Sequence, residues 1–507
     1  MKKKDLNRAI SGIDEKFLAE SEKRATGFRF NFVKVATISA MCLLMIMVGI
    51  NPLLNGSKMS SDRDVVSPGN DGALNEITGE EAPAGTTRHF NGKANNPLTV
   101  FAAELPDYPE FPEYSHSTDY EKYDKAMTEW ENHYGPLLQA SRKQNAKLTD
   151  FNLKTMKAFL KDSGSNVIYA PINVYFAMAL LAETTGGNTR QQIMDVLGVN
   201  STAELAEVVN AIWNYNERNG AIQTRLGNSI WLNKDVEFKK DTVTRLMENY
   251  HASTFVGDMV ELSPLLVKWI NEQTFDFLKD QLGDVTLDHD TIFALASSIY
   301  YKNSWQESFM KSPGKEVFHA PKEDVEVTML RHTDNMPYIE ADTFTAVRKD
   351  MLAGDGMWLI LPNEGKTFND VMNDPAFAKL TAGSSLELDC PKVSLTMPEF
   401  DVNSSLDLVQ GFKDLGIKDV FNPNVSDYTP ITGNEGLYVD SILHKARVKA
   451  DEDGVIAAAV TVIISKNTSV HHDQPIPFTL DRPYMFVMTG ADNTVLFSGI
   501  VNNPIEE

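Results

Sequence analysis

The chain has 507 residues, and its 47 basic and 70 acidic side chains give a formal net charge of −23. This balance argues against a nucleic-acid binder, because neutralising phosphates needs a basic face. Apolar residues make up 42% and charged residues 23%, which is typical of a folded globular protein. The two cysteines, Cys42 and Cys390, exclude a disulfide-rich scaffold and a four-thiolate zinc site. A chain of this length has room for roughly two or three domains, or for one large domain with appendages.

An uncharged apolar run near the N-terminus predicts a single membrane-spanning helix over residues 35–54. Its 20 residues would cross about 30 Å of hydrocarbon as a helix. Residues 1–34 carry nine Lys and Arg, so the positive-inside rule places this tail in the cytoplasm and the remainder outside. The alternatives fit less well. A cleaved signal peptide has a shorter leader and a small-residue cleavage site, a lipid-modified cysteine would end the run rather than lie inside it as Cys42 does, and a core helix would not follow so basic a flank.

Two segments separate this run from the main body. Residues 55–117 are rich in Gly, Ser, Pro, Asn and Asp, which predicts a solvated and partly extended spacer. Residues 118–145 have the charge pattern of a helix that is interrupted near Gly135 and Pro136, and we interpret them as a helical stalk. The folded body is predicted over residues 146–507.

The body begins with helices and continues with strands. Pro171 opens a very apolar helix that ends at Gly186, and a further helix ends at Gly198. Long strand-like runs dominate the remainder. They are RLGNSIWL, TIFALASSIYY, MWLILP, LELDCPKVSLTMPEF, RPYMFVM and NTVLFSGIV. This order predicts an α+β fold with mostly antiparallel sheets.

The most informative stretch is residues 451–475. Three acidic residues precede Gly454, and residues 455–465 then contain no charge, proline or glycine. A buried strand is the simplest interpretation, but strands usually have about five or six residues. The run also continues without a turn signal into a polar loop that ends at Pro475. We therefore interpret it as a segment that can become a strand but is connected as a loop.

The body resembles the serpin family over about 360 residues, in five segments that occur in the family's order. Each segment alone is a weak signal, but their order and spacing together favour this family. The segments are NVIYAPINVYFAMALLAETTGGNTRQQIMDVL, LGNSIWL, FALASSIYYKNSWQESF, HKARVKADEDG with the following AAA, and FTLDRPYMFVM with VLFSGIVNNP. The resemblance implies a serpin fold, with N-terminal helices around large β-sheets and an exposed reactive-centre loop. Together with residues 35–54 it suggests a membrane-anchored member of bacterial origin.

The resemblance also implies the function of a suicide inhibitor of proteases. The protease cuts the exposed loop, its serine or cysteine nucleophile stays linked to the loop as an ester or thioester, and the freed loop inserts into the main sheet as an extra strand. We thus expect a covalent complex with a target serine protease, outside the cell. The protein itself is expected not to be an enzyme, and we expect it to be monomeric, without nucleic acid, cofactor or metal.

The hinge of the loop meets the requirements of insertion. Alternate residues from Val455 onward would face the core, and none is charged, so none carries the penalty for burying an unpaired ion. Gly454 lets the strand bend away from the sheet. The predicted hinge residues are Glu452, Gly454, Val455, Ala457, Ala458 and Ala459.

Counting forward from Glu452 as the family does gives Thr468–Ser469 as the reactive bond, with other positions between 467 and 472 as alternatives. A small β-branched residue before the cut favours an elastase- or subtilisin-like target.

Four further residues match the places that support the sheet in the family: Asn173, Ser297, Trp305 and His444. Several positions depart from the family pattern. The motif Ser-Pro-x-Ser occurs here as Ala-Pro-Ile-Asn from Ala170 to Asn173, and Ser297 replaces a buried asparagine. Val455 replaces a threonine or serine, and Glu399 occupies the place of a lysine that would pair with Glu452.

These departures motivate an alternative, a non-inhibitory serpin-fold module for surface binding or adhesion. An unrelated surface hydrolase is a third hypothesis, which the lack of nucleophile and base motifs disfavours. Two acidic or histidine-rich stretches, Asp451–Asp453 and His471–Asp473, lack the ligand spacing of a metal site.

Overall fold

The computed structural model describes residues 42–52, 99–101, 103, 108–114, 119–382, 389–455 and 474–506, all within the unit Ser39–Glu507. Helices are concentrated in the first half of this part of the chain. They are α1 (Tyr120–Asn145), α2 (Leu148–Phe159), α3 (Pro171–Thr184), α4 (Gly187–Leu197), α5 (Thr202–Asn216), α6 (Lys240–Tyr250), α7 (Met259–Gln273), α8 (Phe368–Asn373), α9 (Pro375–Ala382) and α10 (Val409–Asp414).

Strands occur throughout the described residues and are long in the second half. They are β1 (Cys42–Pro52), β2 (Thr99–Phe101), β3 (Glu110–Phe111), β4 (Val167–Tyr169), β5 (Asn219–Gly220), β6 (Gln223–Asn233), β7 (Ala252–Gly257), β8 (Phe293–Ser304), β9 (Met310–His319), β10 (Asp324–Asn335), β11 (Tyr338–Glu340), β12 (Phe344–Asp350), β13 (Gly356–Pro362), β14 (Lys392–Pro398), β15 (Phe400–Asp407), β16 (Leu437–Ala450), β17 (Gly454–Val455), β18 (Ile476–Thr479), β19 (Tyr484–Thr489) and β20 (Val495–Val501).

The main sheet has the strand order β15-β16-β1-β8-β6-β7-β2, and the short strand β17 pairs with the end of β8. Its neighbours are antiparallel except for β6 and β7, which are parallel. Two further sheets have the orders β11-β12-β13-β19-β20-β4 and β18-β14-β10-β9. This architecture confirms the predicted α+β class with mostly antiparallel sheets.

Helix α3 forms the centre of the core, between the main sheet and strand β20. All of its residues are buried, which agrees with the apolar run that predicted it. Its single acidic residue, Glu183, is compensated, since its carboxylate lies 2.6 Å from Arg245 Nε and accepts a hydrogen bond from the Tyr250 hydroxyl at 3.1 Å. The next helix, α4, ends at Gly198 in the left-handed conformation (φ 73°), as its glycine predicted.

The region predicted as a stalk packs against the body. Trp130 and Tyr134 of α1 are buried in a cluster with Tyr108, Phe111 and Tyr215, and the helix continues through Pro136 without the expected break. The burial of apolar aromatic surface explains this docking, because removing such surface from water lowers the free energy. Helix α1 therefore packs on the body that was predicted over residues 146–507. Parts of the spacer also pack, because β2 joins the edge of the main sheet and β3 pairs with β5.

The apolar run 35–54 is described only over Cys42–Pro52, and these residues form strand β1 inside the main sheet instead of a helix. Among the described residues, no helix is long and apolar enough to cross a membrane. The cytoplasmic tail predicted over residues 1–34 lies outside the described residues. The membrane anchor therefore stays a prediction.

Candidate functional site

The hinge of the predicted reactive loop is attached to the end of β8. Gly454 and Val455 form β17 and pair antiparallel with Ser304 and Asn303. Val455 is fully buried. A Cβ atom on Gly454 would lie 2.5 Å from the carbonyl oxygen of Asn303, so the close approach of the two backbones requires glycine here. Two residues of the predicted hinge are thus paired with the main sheet.

Trp305 and Phe309 hold the three acidic residues before Gly454 by their backbone carbonyl groups. Its indole Nε1 donates to the carbonyl oxygen of Asp451 at 2.9 Å, and its backbone N–H donates to that of Asp453 at 3.1 Å. The backbone N–H of Phe309 donates to the carbonyl oxygen of Glu452 at 2.8 Å. These bonds fix the backbone just before β17.

The carboxylate of Asp451 organises the turn into β17. Its Oδ1 accepts hydrogen bonds from the backbone N–H groups of Asp453 at 3.1 Å and Gly454 at 3.3 Å. Burial nevertheless raises the pKa of Asp451 to about 6, against the effect of these two hydrogen bonds. The charge of this side chain therefore changes in the mildly acidic range.

A lysine that the sequence analysis missed bridges two glutamates at the top of the sheet. The Lys311 ammonium on β9 lies 2.7 Å from the carboxylate of Glu452 and 3.5 Å from that of Glu399. Partial burial lowers the pKa of Lys311, yet the two carboxylates outweigh this effect and raise it above its usual value. The family's lysine that would pair with Glu452 is missing at Glu399, but Lys311 from another strand forms an ion pair with Glu452 instead.

Beneath the middle of the sheet, Asn173 on α3 and Ser297 on β8 bind each other. The Ser297 hydroxyl donates to Asn173 Oδ1 at 2.6 Å, and Asn173 Nδ2 donates to the Ser297 carbonyl oxygen at 3.1 Å. Both side chains are fully buried. The family pattern has serine at position 173 and asparagine at position 297, and here the two residue types are exchanged. The two departures therefore compensate each other.

His444 on β16 completes this buried support. Its Nε2 accepts a hydrogen bond from the backbone N–H of Ala170 at 3.3 Å, and its ring lies 5.2 Å from that of Tyr169. Burial lowers the pKa of His444 to about 3, so the imidazole is neutral near pH 7. Because Nε2 is the acceptor, Nδ1 carries the proton, and it has no acceptor among the described residues.

The predicted site residues that the structure describes form two groups. Glu452, Gly454, Val455 and Trp305 lie together at the top of the main sheet, and Asn173, Ser297 and His444 lie together beneath its middle. The remaining hinge residues and the reactive bond lie outside the described residues: Ala457, Ala458, Ala459, Thr468 and Ser469.

A group of possible metal ligands lies close to the hinge. Glu307, His332 and Asp334 bring one ligand atom each to within 4.8 Å of one another. The buried ammonium of Lys349 already supplies a positive charge there, since it interacts electrostatically with Glu307 and Asp334 and lies 5.1 Å above the ring of Phe309. Its pKa is lowered by burial to about 8. This arrangement does not favour a metal ion.

This fold, with a hinge at the top of a large sheet and a buried polar support beneath it, is that of a serpin. The model of the serpin (serine protease inhibitor) family matches residues 146–504, and the chain belongs to this family.

An uncharacterized serpin-like protein of Thermococcus kodakarensis is 27% identical over 367 residues, which are 68% of this chain and 82% of that protein. Plasminogen activator inhibitor 1 of Sus scrofa is 26% identical over 385 residues, 70% of this chain and 91% of that protein. The crystal structure of the thermophilic serpin tengpin in its native state superposes with a TM-score of 0.63 at 20% identity and covers 71% of this chain and 94% of tengpin.

Proposed function

We propose that this protein is a suicide inhibitor of extracytoplasmic serine proteases, which traps the acyl-enzyme by inserting its cut loop into the main sheet. The hinge carries this proposal. Gly454 and Val455 already pair with β8, and the following residues up to 465 contain no charge, proline or glycine. Such a segment can extend the first pairs into a full strand without burying an ion. The similarity to plasminogen activator inhibitor 1 supports the same function.

The chemistry requires only that the loop be cut as a substrate. The serine oxygen of the protease attacks the carbonyl carbon of Thr468, and the serine hydroxyl loses its proton. The bond from this carbon to the nitrogen of Ser469 then breaks, and the new amino group of Ser469 takes up that proton. The carbonyl carbon of Thr468 remains bound to the serine oxygen as an ester. Insertion then carries the ester, with the protease, away from the geometry that hydrolysis needs.

The target specificity follows from the residue before the cut. Threonine is small and uncharged, so it fits an elastase- or subtilisin-like pocket, whereas a trypsin-like pocket requires a cation. Thr468 and Ser469 lie outside the described residues, and their assignment rests on counting from Glu452. Cysteine proteases would form a thioester by the same route.

The proposed location is the outer face of a membrane, with residues 1–34 in the cytoplasm. The charge pattern of residues 1–54 supports it. The strand formed by Cys42–Pro52 is a second conformation for the same residues.

The test is incubation of the full chain with subtilisin and with pancreatic elastase, followed by denaturing electrophoresis and mass spectrometry. We expect an SDS-stable adduct and a released C-terminal fragment that begins at Ser469. Ala459→Arg should be cut at the same bond without forming the adduct, because the charge would be buried on insertion. Ala459→Val is the matched control and should still form it. Cleavage without an adduct, both in the wild type and after disruption of strand β1, would refute inhibition.

The alternative, a non-inhibitory binding or adhesion module, was motivated by the departures from the family pattern. Three of them are compensated: those at Asn173 and Ser297 by their exchange, and that at Glu399 by the bridge from Lys311. A module of this kind would show no large rise in melting temperature after cleavage of its loop, whereas an inserting serpin gains a strand and becomes more stable.

A further inference from the structure

Strand β1 occupies the centre of the main sheet, between β8 and β16. It is antiparallel to both, and its pairing with β8 runs from Cys42 opposite Tyr301 to Ile50 opposite Phe293. On the other side, Leu43 lies opposite Arg447 and Pro52 opposite Leu437. The facing edges of β8 and β16 are thus both paired by a segment that precedes the family-matched residues 146–504 in the chain.

The hinge strand β17 pairs with the end of β8, and β1 pairs with the residues of β8 that come next along the same edge. Val455 lies opposite Asn303, and both β17 and β1 run antiparallel to β8. If the register of β17 were continued along β8, Ala457 would come opposite Tyr301. That position is taken by Cys42. By the same register, residues 457–465 would need the places of residues 42–50. The loop cannot insert while β1 is present.

The polar residues beneath the sheet favour the reactive loop over β1 as the strand between β8 and β16. In β1, Ile46 is the residue opposite both Ser297 and His444. In the continued register of the hinge, Thr461 would take this position. His444 Nδ1 has no acceptor among the described residues, and a threonine hydroxyl can supply one where an isoleucine cannot. A buried donor without a partner is costly, so replacing β1 by the loop would relieve it.

We propose that residues 42–52 are an internal ligand of the slot between β8 and β16, which keeps the reactive loop out until β1 leaves. The occupancy rests on strand pairing alone, whereas its effect on inhibition rests on the proposed function. The ligand class that the slot accepts is an extended, uncharged apolar peptide, and the chain provides two of them, residues 42–52 and 455–465.

Disulfide trapping in the full chain tests the occupancy. With Cys42→Ser and Cys390→Ser as background, Met45→Cys and Ser298→Cys place two thiols on directly paired residues, within the span of a disulfide. The control combines Ile46→Cys with Ser298→Cys, which a shift of one residue places on opposite faces of the sheet. Mild oxidation should cross-link the first pair at least about tenfold faster. Equal rates would overturn the occupancy.

The effect on inhibition is tested with the same cross-link. We expect the oxidised Met45→Cys, Ser298→Cys protein to be cut by subtilisin without forming an SDS-stable adduct, and reduction to restore the adduct. Equal adduct yields from the oxidised and reduced proteins would overturn the competition. If no adduct forms after reduction or in a protein whose strand β1 is disrupted, the proposed function fails, while the cross-linking result for the occupancy stands.

A proline in β1 provides an independent measurement. Met47→Pro removes a ladder N–H from a central strand, where proline is not accommodated. The slot should then be free, and the adduct yield with subtilisin should rise severalfold over the wild type. Met47→Leu keeps the ladder bond and should behave like the wild type. No increase with Met47→Pro would contradict the competition.

Discussion

Lys311 lies 2.7 Å from Glu452 and thereby ties the base of the reactive loop to β9. The same ammonium also contacts Glu399, so one cation separates two carboxylates. Lys311→Gln should leave the two negative charges facing each other and weaken the attachment of the hinge. Since such partly exposed pairs contribute about 0.2–1 kcal/mol, we expect a small fall in melting temperature that decreases in high salt. Lys315→Gln, on the same strand but bound only to the Thr328 hydroxyl in the described contacts, is the control.

Gly454 should not tolerate a side chain. A Cβ atom there would lie 2.5 Å from the Asn303 carbonyl oxygen and 2.7 Å from the Ser304 Cα, and neither backbone atom can move aside cheaply. Gly454→Ala should therefore separate β17 from β8 and cost about 1–3 kcal/mol of stability, measured by thermal unfolding. Gly433→Ala, where no atom lies within 4 Å of the added Cβ, should cost far less. Equal costs for both variants would show that the contact with β8 is unimportant.

The exchanged pair of Asn173 and Ser297 makes a reciprocal prediction. Asn173→Ser should leave the Ser297 hydroxyl without its acceptor, and Ser297→Asn should crowd a fully buried site, each at about 1–3 kcal/mol. The double variant restores one serine and one asparagine in the family's arrangement. Its melting temperature should return most of the way to the wild-type value. Additive losses would mean that the two residues act independently.

The pKa of Asp451, raised to about 6 by burial, predicts a pH dependence of the hinge. The folded protein holds this proton more tightly than the unfolded chain, whose carboxyl has its ordinary pKa of 3.8. The contribution of Asp451 to the free energy of unfolding is therefore fully present below about pH 4 and is lost as the pH rises to about 6. Asp451→Asn should remove this contribution from the melting temperature between pH 4 and 7. Asp290→Asn, at an exposed position, controls for the loss of one negative charge.

Local signals in the sequence were sufficient for much of the fold. The apolar run after Pro171 became the buried helix α3, and Gly198 ended α4, because both depend on neighbouring residues only. Lys311 could not be identified in this way. Its partners Glu399 and Glu452 lie on distant parts of the chain, and only the register of the sheets brings the three together.

The run 35–54 shows another limit of a single sequence. Length and lack of charge are compatible with a membrane helix, but an uncharged apolar segment can equally be buried in a sheet, and periodicity does not separate the two. The described residues Cys42–Pro52 form a strand of the main sheet. The docking of α1 was missed for a similar reason, since Trp130 and Tyr134 are single aromatic residues in a charged helix.

For the proposed membrane anchor, the position of β1 would give the lipid bilayer a direct thermodynamic role. The same eleven residues cannot lie in a membrane and in the sheet at once, so each environment depletes the other by mass action. We expect phosphatidylcholine vesicles to withdraw β1 from the sheet and to lower the rate of the Met45–Ser298 cross-link. Release from the membrane would have the opposite effect. A protein released from the membrane would then not inhibit proteases, and inhibition would be confined to the membrane surface where the protein is anchored.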